Sequence, residues 1–448
     1  MNKLIKYTLT VMILITTLQV QAQTSQGTAI NFSSALDMAI TNDQDLQAAE
    51  FDYQSAMATR GQSKAALLPQ LNLSVFTSTT DSETENSISS LFNPNGTTTT
   101  DINGYSLTLT QTIYNHNVYK TLEQTDMSIA AATATVEAAR QDLIVRLATA
   151  YFNVLGAEDN LKFATAEKEA IGKQLEQSKK RFEVGLIAIT DVKEAQASYD
   201  TSIALEIEAQ NQLSAQLEAL AVILGNYNQS IAPMVENIPL VIPEPANMQK
   251  WTENALDNNL ALKAAKFQFK ASQKQVAADQ SKHYPYLDLN AENSYTSSEG
   301  GTFPSDTTDT TISLQLTVPI YSGGLTSARH RQSVALKERA RSVKEKAHRQ
   351  TLQQTRDAYL GVTSTIAQVK AFKQALLSSQ AAYEATQAGF EVGTRTAIDV
   401  LTTLREVYGA ERDYARARYN YVINTLKLKQ AAGTLTINDG KAINTFLK

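Results

Sequence analysis

The residue types that most often carry out chemistry are sparse in this sequence and lie far apart. There is no cysteine among the 448 residues, and the four histidines are His116, His283, His330 and His348. Their spacing matches no zinc-ligand pattern, and there is no nucleophile motif or phosphate-binding loop. Pairs of carboxylates occur by chance in long, highly charged helical segments such as those of this sequence, so they do not indicate an acid–base site. The sequence therefore supports neither an enzyme nor a cofactor.

The most distinctive polar pattern is a turn that occurs twice. Residues 390–399 read Phe-Glu-Val-Gly-Thr-Arg-Thr-Ala-Ile-Asp, and residues 182–191 read Phe-Glu-Val-Gly-Leu-Ile-Ala-Ile-Thr-Asp, 208 positions earlier. Each glycine suits the left-handed residue that follows a helix. Thr396 and Asp399 then have nearly the spacing of a capping box for the next helix. Two such turns between long helical patterns indicate an internal duplication.

The elements around the two turns repeat in the same order. Each half begins with an amphipathic helix, predicted over 35–67 in the first half with a cap at Ser33 or Ser34. Two short alternating runs follow, separated by a polar loop at about 77–103 or 293–310. A helix of about 65 residues, or roughly 100 Å, leads into the turn. In the first half a final helix then runs from Thr190 to Leu224.

These patterns also set the predicted boundaries. Residues 1–22 have the charged, apolar and small-residue order of an export signal, although a buried N-terminal helix is the alternative. The first repeat then covers 23–225, with a mature start near Gln23. A proline-rich linker spans 226–247, the second repeat 248–433 and a C-terminal tail 434–448. No later segment approaches the ~18 consecutive apolar residues of a transmembrane helix.

The alternating runs form two predicted hairpins, at about 71–111 and 286–318. One face of each strand is apolar and the other is polar, as in Leu71-Asn72-Leu73-Ser74-Val75. Strands of an outer-membrane β-barrel have this pattern, with lipid outside and a polar lumen inside. Soluble hairpins that cap a helical bundle are the alternative. The tyrosines near the strand ends, where an aromatic girdle is expected, are Tyr105, Tyr114, Tyr284, Tyr286, Tyr295 and Tyr321.

Four strands cannot close a barrel, and an open edge in lipid would leave backbone groups unpaired. Two chains would give eight strands, whose interior side chains fill the barrel, whereas three give twelve strands with room for a lumen. We therefore predict a trimer with a twelve-stranded membrane β-barrel on an all-α tunnel. The long helices carry charges throughout and so stand in water beneath the outer membrane. A net charge of −5 does not suggest nucleic acid as a partner.

The sequence resembles the TolC family of outer-membrane channel-tunnels from about Ser33 to Leu435. The segments that carry the resemblance are Arg181-Phe-Glu-Val-Gly-Leu-Ile-Ala-Ile-Thr-Asp-Val192, Gly389-Phe-Glu-Val-Gly-Thr-Arg-Thr-Ala-Ile-Asp-Val-Leu401, Val318-Pro-Ile-Tyr-Ser-Gly-Gly324 and Ala417-Arg-Tyr-Asn-Tyr-Val-Ile-Asn-Thr-Leu426. The resemblance implies a homotrimer with a twelve-helix tunnel. It also implies a periplasmic adaptor (membrane fusion) protein and an inner-membrane pump of the RND or ABC type as partners.

The resemblance further implies a gate at the two turns. Arg395 would clasp Thr190 and Asp191, and Asp399 would form the ring that narrows the pore. This sequence departs from the family at Phe390, where a tyrosine is often found, and at Thr402, which replaces a second pore aspartate. The turn residues expected to form the tips that dock on the adaptor are Val184, Gly185, Leu186, Val392, Gly393 and Thr394.

Each of these residues also has a simpler interpretation. Asp399 could serve only as a capping carboxylate, Asp191 only as an acidic residue in a first helical turn, and Arg395 only as a solvated residue. The basic run Arg329–Arg349 favours a solvated helix face, with a lipid head-group or adaptor contact as the alternative. Gly323-Gly324 favours a sharp bend over a phosphate loop.

The function expected from this resemblance is an exit duct for a tripartite efflux or type I secretion system. An iris-like movement of the periplasmic turns would open it. The alternative is an exported helical scaffold or adaptor without a pore, which would explain the helices and the signal but not four lipid-compatible strands. The cargo could be drugs, metals or proteins. Multidrug efflux is favoured because it is the commonest function in the family.

Overall fold

The computed structural model describes residues 29–83, 97–226, 230–300 and 304–447. The predicted export signal and the mature start near Gln23 lie outside these residues. In chain order the elements are α1 (Phe32–Asn42), α2 (Gln44–Ala65), β1 (Gln70–Glu83), β2 (Thr97–Asn115), α3 (His116–Glu183), α4 (Ile189–Leu224), α5 (Met248–Asn258), α6 (Leu260–Gln280), β3 (Tyr286–Gly300), β4 (Ser305–Thr317), α7 (Leu325–Glu391), α8 (Ala397–Ala431) and α9 (Ile437–Ala442).

Two very long helical hairpins form most of the structure. The helices α3 and α4 make the first hairpin, α7 and α8 make the second, and α3 packs against α8. With 68 and 67 residues, α3 and α7 are each about 100 Å long. Small buried side chains such as Ala131 and Ala134 let neighbouring helices approach closely. No helix in the described ranges combines the length and apolar content needed to cross a bilayer.

The four strands form one antiparallel sheet in the order β1-β2-β3-β4. The pairing places apolar residues opposite one another, as at Leu71↔Leu109 and Leu289↔Leu314. This apolar face is exposed: Val75 and Ile312 on the two edge strands are 77% and 75% accessible. The sheet therefore has an open apolar face, and its β1 and β4 edges have no partner within the described chain.

The strands are longer than the sequence predicted. Residues 77–83 and 97–103, expected in a polar loop, are paired strand, and so are 293–300 and 305–310. Threonine is β-branched and suits strands, and its hydroxyl can bind a carboxylate on the facing strand. Thr79 donates to Asp101 over 2.6 Å and Thr99 donates to Asp81 over 2.7 Å. These polar cross-strand pairs extend the sheet beyond its apolar band.

The prediction of one helix over 35–67 is wrong, because the chain forms α1 and α2 with a break at Asp43. The Asp43 carboxylate accepts a 2.8 Å hydrogen bond from Leu46 N–H and thereby starts a new helix. Asn259 does the same between α5 and α6, accepting from Leu262 N–H over 2.9 Å. The first cap is also Asn31 instead of Ser33 or Ser34.

The last helix of each repeat ends in the same way. The helices α4 and α8 end at Gly225 and Gly433, whose φ angles of 70° and 71° are left-handed. A Cβ added to Gly225 would lie 3.1 Å from Asn42 at the α1–α2 break. A Cβ on Gly433 would collide with the backbone of Asn258 at the α5–α6 break. The left-handed φ favours glycine at both positions, and at Gly433 the neighbouring backbone also leaves no space for a side chain.

The largest core lies around the middle of the long helices. Its fully buried side chains include Tyr151 and Phe152 of α3 and Leu428 of α8. Residues 230–247 and the C-terminal segment cover this core, and they are joined by a bridge between Met234 and Leu447. The 434–447 segment thus packs against the helices and forms part of the folded body.

Candidate functional site

The two repeated turns have the same backbone structure. Leu186 N–H donates to Arg181 O, and Gly185 N–H donates to Phe182 O, each over 2.9 Å. In the second turn Thr394 N–H donates to Gly389 O over 2.8 Å, and Gly393 N–H donates to Phe390 O over 3.2 Å. Both turns are Schellman motifs with a left-handed glycine.

Asp399 closes a capping box at the start of α8, as its spacing predicts. Its carboxylate accepts hydrogen bonds from the N–H and the hydroxyl of Thr396, at 3.0 and 2.9 Å. These two hydrogen bonds lower the pKa of Asp399, and the nearby charge of Arg395 lowers it further. Asp399 is therefore a capping carboxylate that carries a negative charge at the tip. Such a cap is compatible with a role in the pore.

The start of α4 lacks this polar cap. Ala188 occupies the cap position without a side-chain hydrogen bond. Asp191 lies in the first turn, where the helix dipole stabilises a negative charge, and is half-buried, while Thr190 is exposed. The two turns thus have the same backbone conformation but differ in the polar side chains at the start of the helix that follows.

Arg395 does not contact Thr190 or Asp191 within the chain. No ion pair or hydrogen bond of the described residues joins them, and Arg395 is exposed. Its side chain instead lies against Gly389, where an added Cβ would approach Arg395 Cγ to 2.8 Å. The predicted clasp of Arg395 with Thr190 and Asp191 would therefore have to join different protomers, and it stays a prediction.

Phe390 is only 5% exposed and packs with Ala397 and Val400 at the base of the second turn. The guanidinium of Arg181, at the end of α3, lies 4.1 Å from the centre of the Phe390 ring. Its Nη1 also donates to the Phe390 carbonyl over 3.4 Å. The sequence places Arg181 in the repeated motif without revealing this contact. One signal could have indicated it: the first repeat has an arginine, Arg181, at the position where the second repeat has Gly389.

The tips expose apolar side chains to solvent. Val184, Leu186 and Val392 are 70%, 72% and 76% accessible. Gly185, Gly393 and Thr394 form the backbone of the turns. Thr402, one turn into α8, donates its hydroxyl to Ile398 O over 2.8 Å and brings no charge. The tips therefore combine an apolar end with acidic residues in the first turns of the helices that follow, Asp191 of α4 and Asp399 of α8.

A second polar contact between the hairpins, on α3 and α8, lies further from the turns and was not predicted. The carboxylate of Glu167 on α3 is 6% exposed and lies 3.7 Å from Nε of Arg405 on α8. Burial raises the pKa of Glu167, although Arg412 and Arg405 partly oppose this. Ile171 and Leu404 belong to a small apolar cluster between the same helices.

Two other features agree with their simpler interpretations. In the basic run Arg329–Arg349, Arg341 pairs with Glu338 and Arg349 with Glu345 on the same exposed helix face. Gly323 and Gly324 both have left-handed φ angles and form the bend before α7. Across the described ranges, no group of three histidine, aspartate or glutamate side chains could hold a metal ion.

Comparison with known proteins supports this architecture over nearly the whole chain. The family described as "Outer membrane efflux protein" matches residues 35–226 and 251–434. The outer membrane protein TolC of Escherichia coli is 35% identical, covering 94% of this chain and 86% of that protein. TolC of Vibrio cholerae is 33% identical, with 94% of each chain covered. The proteases secretion protein PrtF of Dickeya chrysanthemi is 27% identical, covering 92% of this chain and 90% of its own.

Solved structures with low sequence identity have the same fold. The CmeC outer membrane channel of Campylobacter jejuni is 18% identical and gives a TM-score of 0.78, covering 93% of this chain and 90% of its own. The outer membrane protein VceC of Vibrio cholerae is 21% identical and gives 0.74, covering 90% and 96%. The chain therefore belongs to the outer membrane efflux protein family and has the TolC fold.

Proposed function

We propose that this protein is the exit duct of a tripartite efflux or type I secretion system. As a family member it is an outer-membrane channel-tunnel whose helical part lies in the periplasm. The observation that carries the proposal is the four-stranded sheet with one exposed apolar face. Such a face is costly in water and suits a lipid environment. A periplasmic scaffold without a pore would not need it.

The sheet edges support a trimer as the working assembly. The edge strands β1 and β4, with 14 and 13 residues, are nearly equal in length and have no partner in the described chain. In lipid these edges must be paired, and pairing β4 of one protomer with β1 of the next does so. Three protomers give twelve strands and leave room for a lumen.

The gate would then form where the second hairpins of three protomers meet. Arg395 is exposed and free of intrachain ion pairs among the described residues, so its charge is available to Thr190 and Asp191 of a neighbouring protomer. Asp399 would project its charge at the mouth, with the uncharged Thr402 one turn above. An iris-like outward movement of α7 and α8 would break the Arg395 contacts and widen the pore.

The exposed valine and leucine side chains at the tips are the proposed docking site for a periplasmic adaptor. Val184, Leu186 and Val392 form an apolar end that an adaptor could cover, as at other protein interfaces. An inner-membrane pump of the RND or ABC type would complete the assembly. The relatives of this chain include a proteases secretion protein and a cobalt-zinc-cadmium resistance protein. We propose that the pump, and not this duct, selects the cargo.

Conductance in a planar bilayer tests the proposal. The mature protein is extracted in detergent, its oligomeric state is measured by light scattering, and it is added to one side of the bilayer. We expect a trimer that conducts ions weakly until its periplasmic end is loosened. A water-soluble protein that never conducts, even with gate substitutions, would support the scaffold alternative. Affinity purification from cells after cross-linking then identifies the adaptor.

A further inference from the structure

We infer that Arg181 is a positioning residue that holds the two helical hairpins of one protomer together at the tip in the closed state. The inference rests on the proposed gate and deepens it. Phe390 has no hydroxyl and cannot donate a hydrogen bond to Asp191. Arg181 supplies a different link between the hairpins, through the ring and the backbone of Phe390.

The contact has two components. The guanidinium carbon of Arg181 is 4.1 Å from the centre of the Phe390 ring, within the range of a cation–π interaction. Its Nη1 donates to the Phe390 carbonyl over 3.4 Å. This carbonyl lies in the last turn of α7, where the negative end of the helix dipole attracts a cation. Two residues 209 positions apart thus join the ends of α3 and α7.

The duplication shows that the turn itself does not require this arginine. Gly389 is the equivalent of Arg181 in the second repeat, and its Schellman motif forms equally well. Phe182 is the equivalent of Phe390 but is 41% exposed, while Phe390 is 5% exposed. Only one of the two equivalent aromatic rings is buried, and it is the one beneath the arginine. Arg181 therefore acts between the hairpins.

A neighbouring cation shows that the contact is specific. Lys180 lies in the same final turn of α3, but it is 70% exposed and pairs with Glu176 on its own helix over 2.7 Å. Within the described part of the chain, Lys180 forms no ion pair or hydrogen bond with α7. Because α7 and α8 must move relative to α3 and α4 for the iris to open, a link at this position has to break first.

The test measures conductance of the full-length trimer in planar bilayers. We expect Arg181→Gln to raise the mean conductance several-fold and to increase the fraction of open time. Lys180→Gln removes the same charge one residue away and should change neither. Arg181→Lys keeps a cation but loses the planar guanidinium, and an intermediate conductance is expected.

A double-variant comparison separates a link from a general loosening. Phe390→Leu keeps an apolar side chain in the cluster but removes the ring, so it should raise conductance as Arg181→Gln does. If the two residues form one link, Arg181→Gln with Phe390→Leu should add little beyond either change. Full additivity, or no effect of Arg181→Gln, would overturn the inference.

The controls distinguish this inference from the proposed function. If Arg395→Ser opens the trimer but Arg181→Gln does not, the proposed gate is supported and Arg181 has no part in it. A protein that conducts under no condition would overturn the channel itself. If Arg181→Gln does not assemble as a trimer, Phe390→Leu decides alone: a higher conductance supports the link and an unchanged one contradicts it.

Discussion

Arg146 binds the carboxylate of Asp43 through two hydrogen bonds, 2.9 Å from Nη2 to Oδ1 and 3.1 Å from Nη1 to Oδ2. The side chain of Asp43 is only 4% exposed. Its negative charge at the α1–α2 break is compensated by the guanidinium of Arg146 on α3. The hydrogen bond from Arg146 to Asp43 is also the main cause of the raised pKa of the arginine. The second repeat uses the uncharged Asn259 at the same position.

This pair predicts an unequal effect of its two substitutions. Arg146→Met should destabilise the protein by about 3 kcal/mol, because it leaves a buried carboxylate without its partner. Asp43→Asn should cost less, since asparagine caps the following helix equally well at Asn259. The apparent melting temperature by far-ultraviolet circular dichroism measures both. Equal losses would contradict the role of the buried charge.

The proposed clasp predicts higher conductance when either side is removed. We expect Arg395→Ser and Asp191→Ala each to raise the mean conductance in planar bilayers, because the closed end loses a polar contact between protomers. Lys193→Ser, an exposed change on the first turns of α4, is the matched control. Unchanged conductance in both variants would remove these residues from the gate.

Asp399 is predicted to attract multivalent cations at the periplasmic mouth. Asp399→Asn should weaken block by such cations several-fold, because the ring of negative charge is lost while an oxygen for the cap is kept. Thr396→Ala removes the hydroxyl half of the capping box and keeps the charge, so block should persist although the helix end loses about 1 kcal/mol. If block is equally strong after Asp399→Asn, the constriction lies elsewhere.

The buried Glu167 predicts a pH dependence of stability. Burial raises the pKa of its carboxyl in the folded protein, so the folded state binds a proton more readily than the unfolded chain does. The stability of the protein relative to Glu167→Gln should therefore rise as the pH falls from 8 through this raised pKa, and level off below about 4.5. Melting temperatures of both proteins across this range measure the difference. A difference that does not vary with pH would contradict the raised pKa.

The alternating faces of β1 predict opposite effects at adjacent residues. Leu73 lies on the exposed apolar face and Ser74 on the polar face. Leu73→Lys should destabilise the inserted barrel by about 2–4 kcal/mol if it lies near the middle of the bilayer. Ser74→Lys, directed to the lumen, should insert normally and shift the ion selectivity towards anions. The yield of folded trimer in membranes and the reversal potential measure the two effects.

Several features of the protein were predictable because they depend on short stretches of chain. The glycine turns, the Thr396–Asp399 cap and the alternating faces of the strands follow from local backbone and side-chain preferences. The register of the two repeats locates the turns at equivalent positions. The family could be identified from these motifs, and the comparisons confirm it.

The errors arose where distant parts of the chain compete with local patterns. The helix period continues through Asp43, but the break there is held by Arg146, 103 positions away. The threonine-rich stretches look like loops by composition, yet they pair with a facing strand. Local rules do not include such partners, so the sequence predicted one helix instead of two and strands that were too short.

The sequence by itself determined the duplication, the two turns and a sheet with one apolar and one polar face, because each is encoded by neighbours along the chain. The tertiary structure decided how the hairpins meet. It buried Phe390 while leaving Phe182 exposed, brought Arg181 over that ring, and placed Glu167 beside Arg405. Sequence spacing cannot predict these pairs, because they depend on how two helical hairpins, over 200 residues apart in the chain, pack side by side.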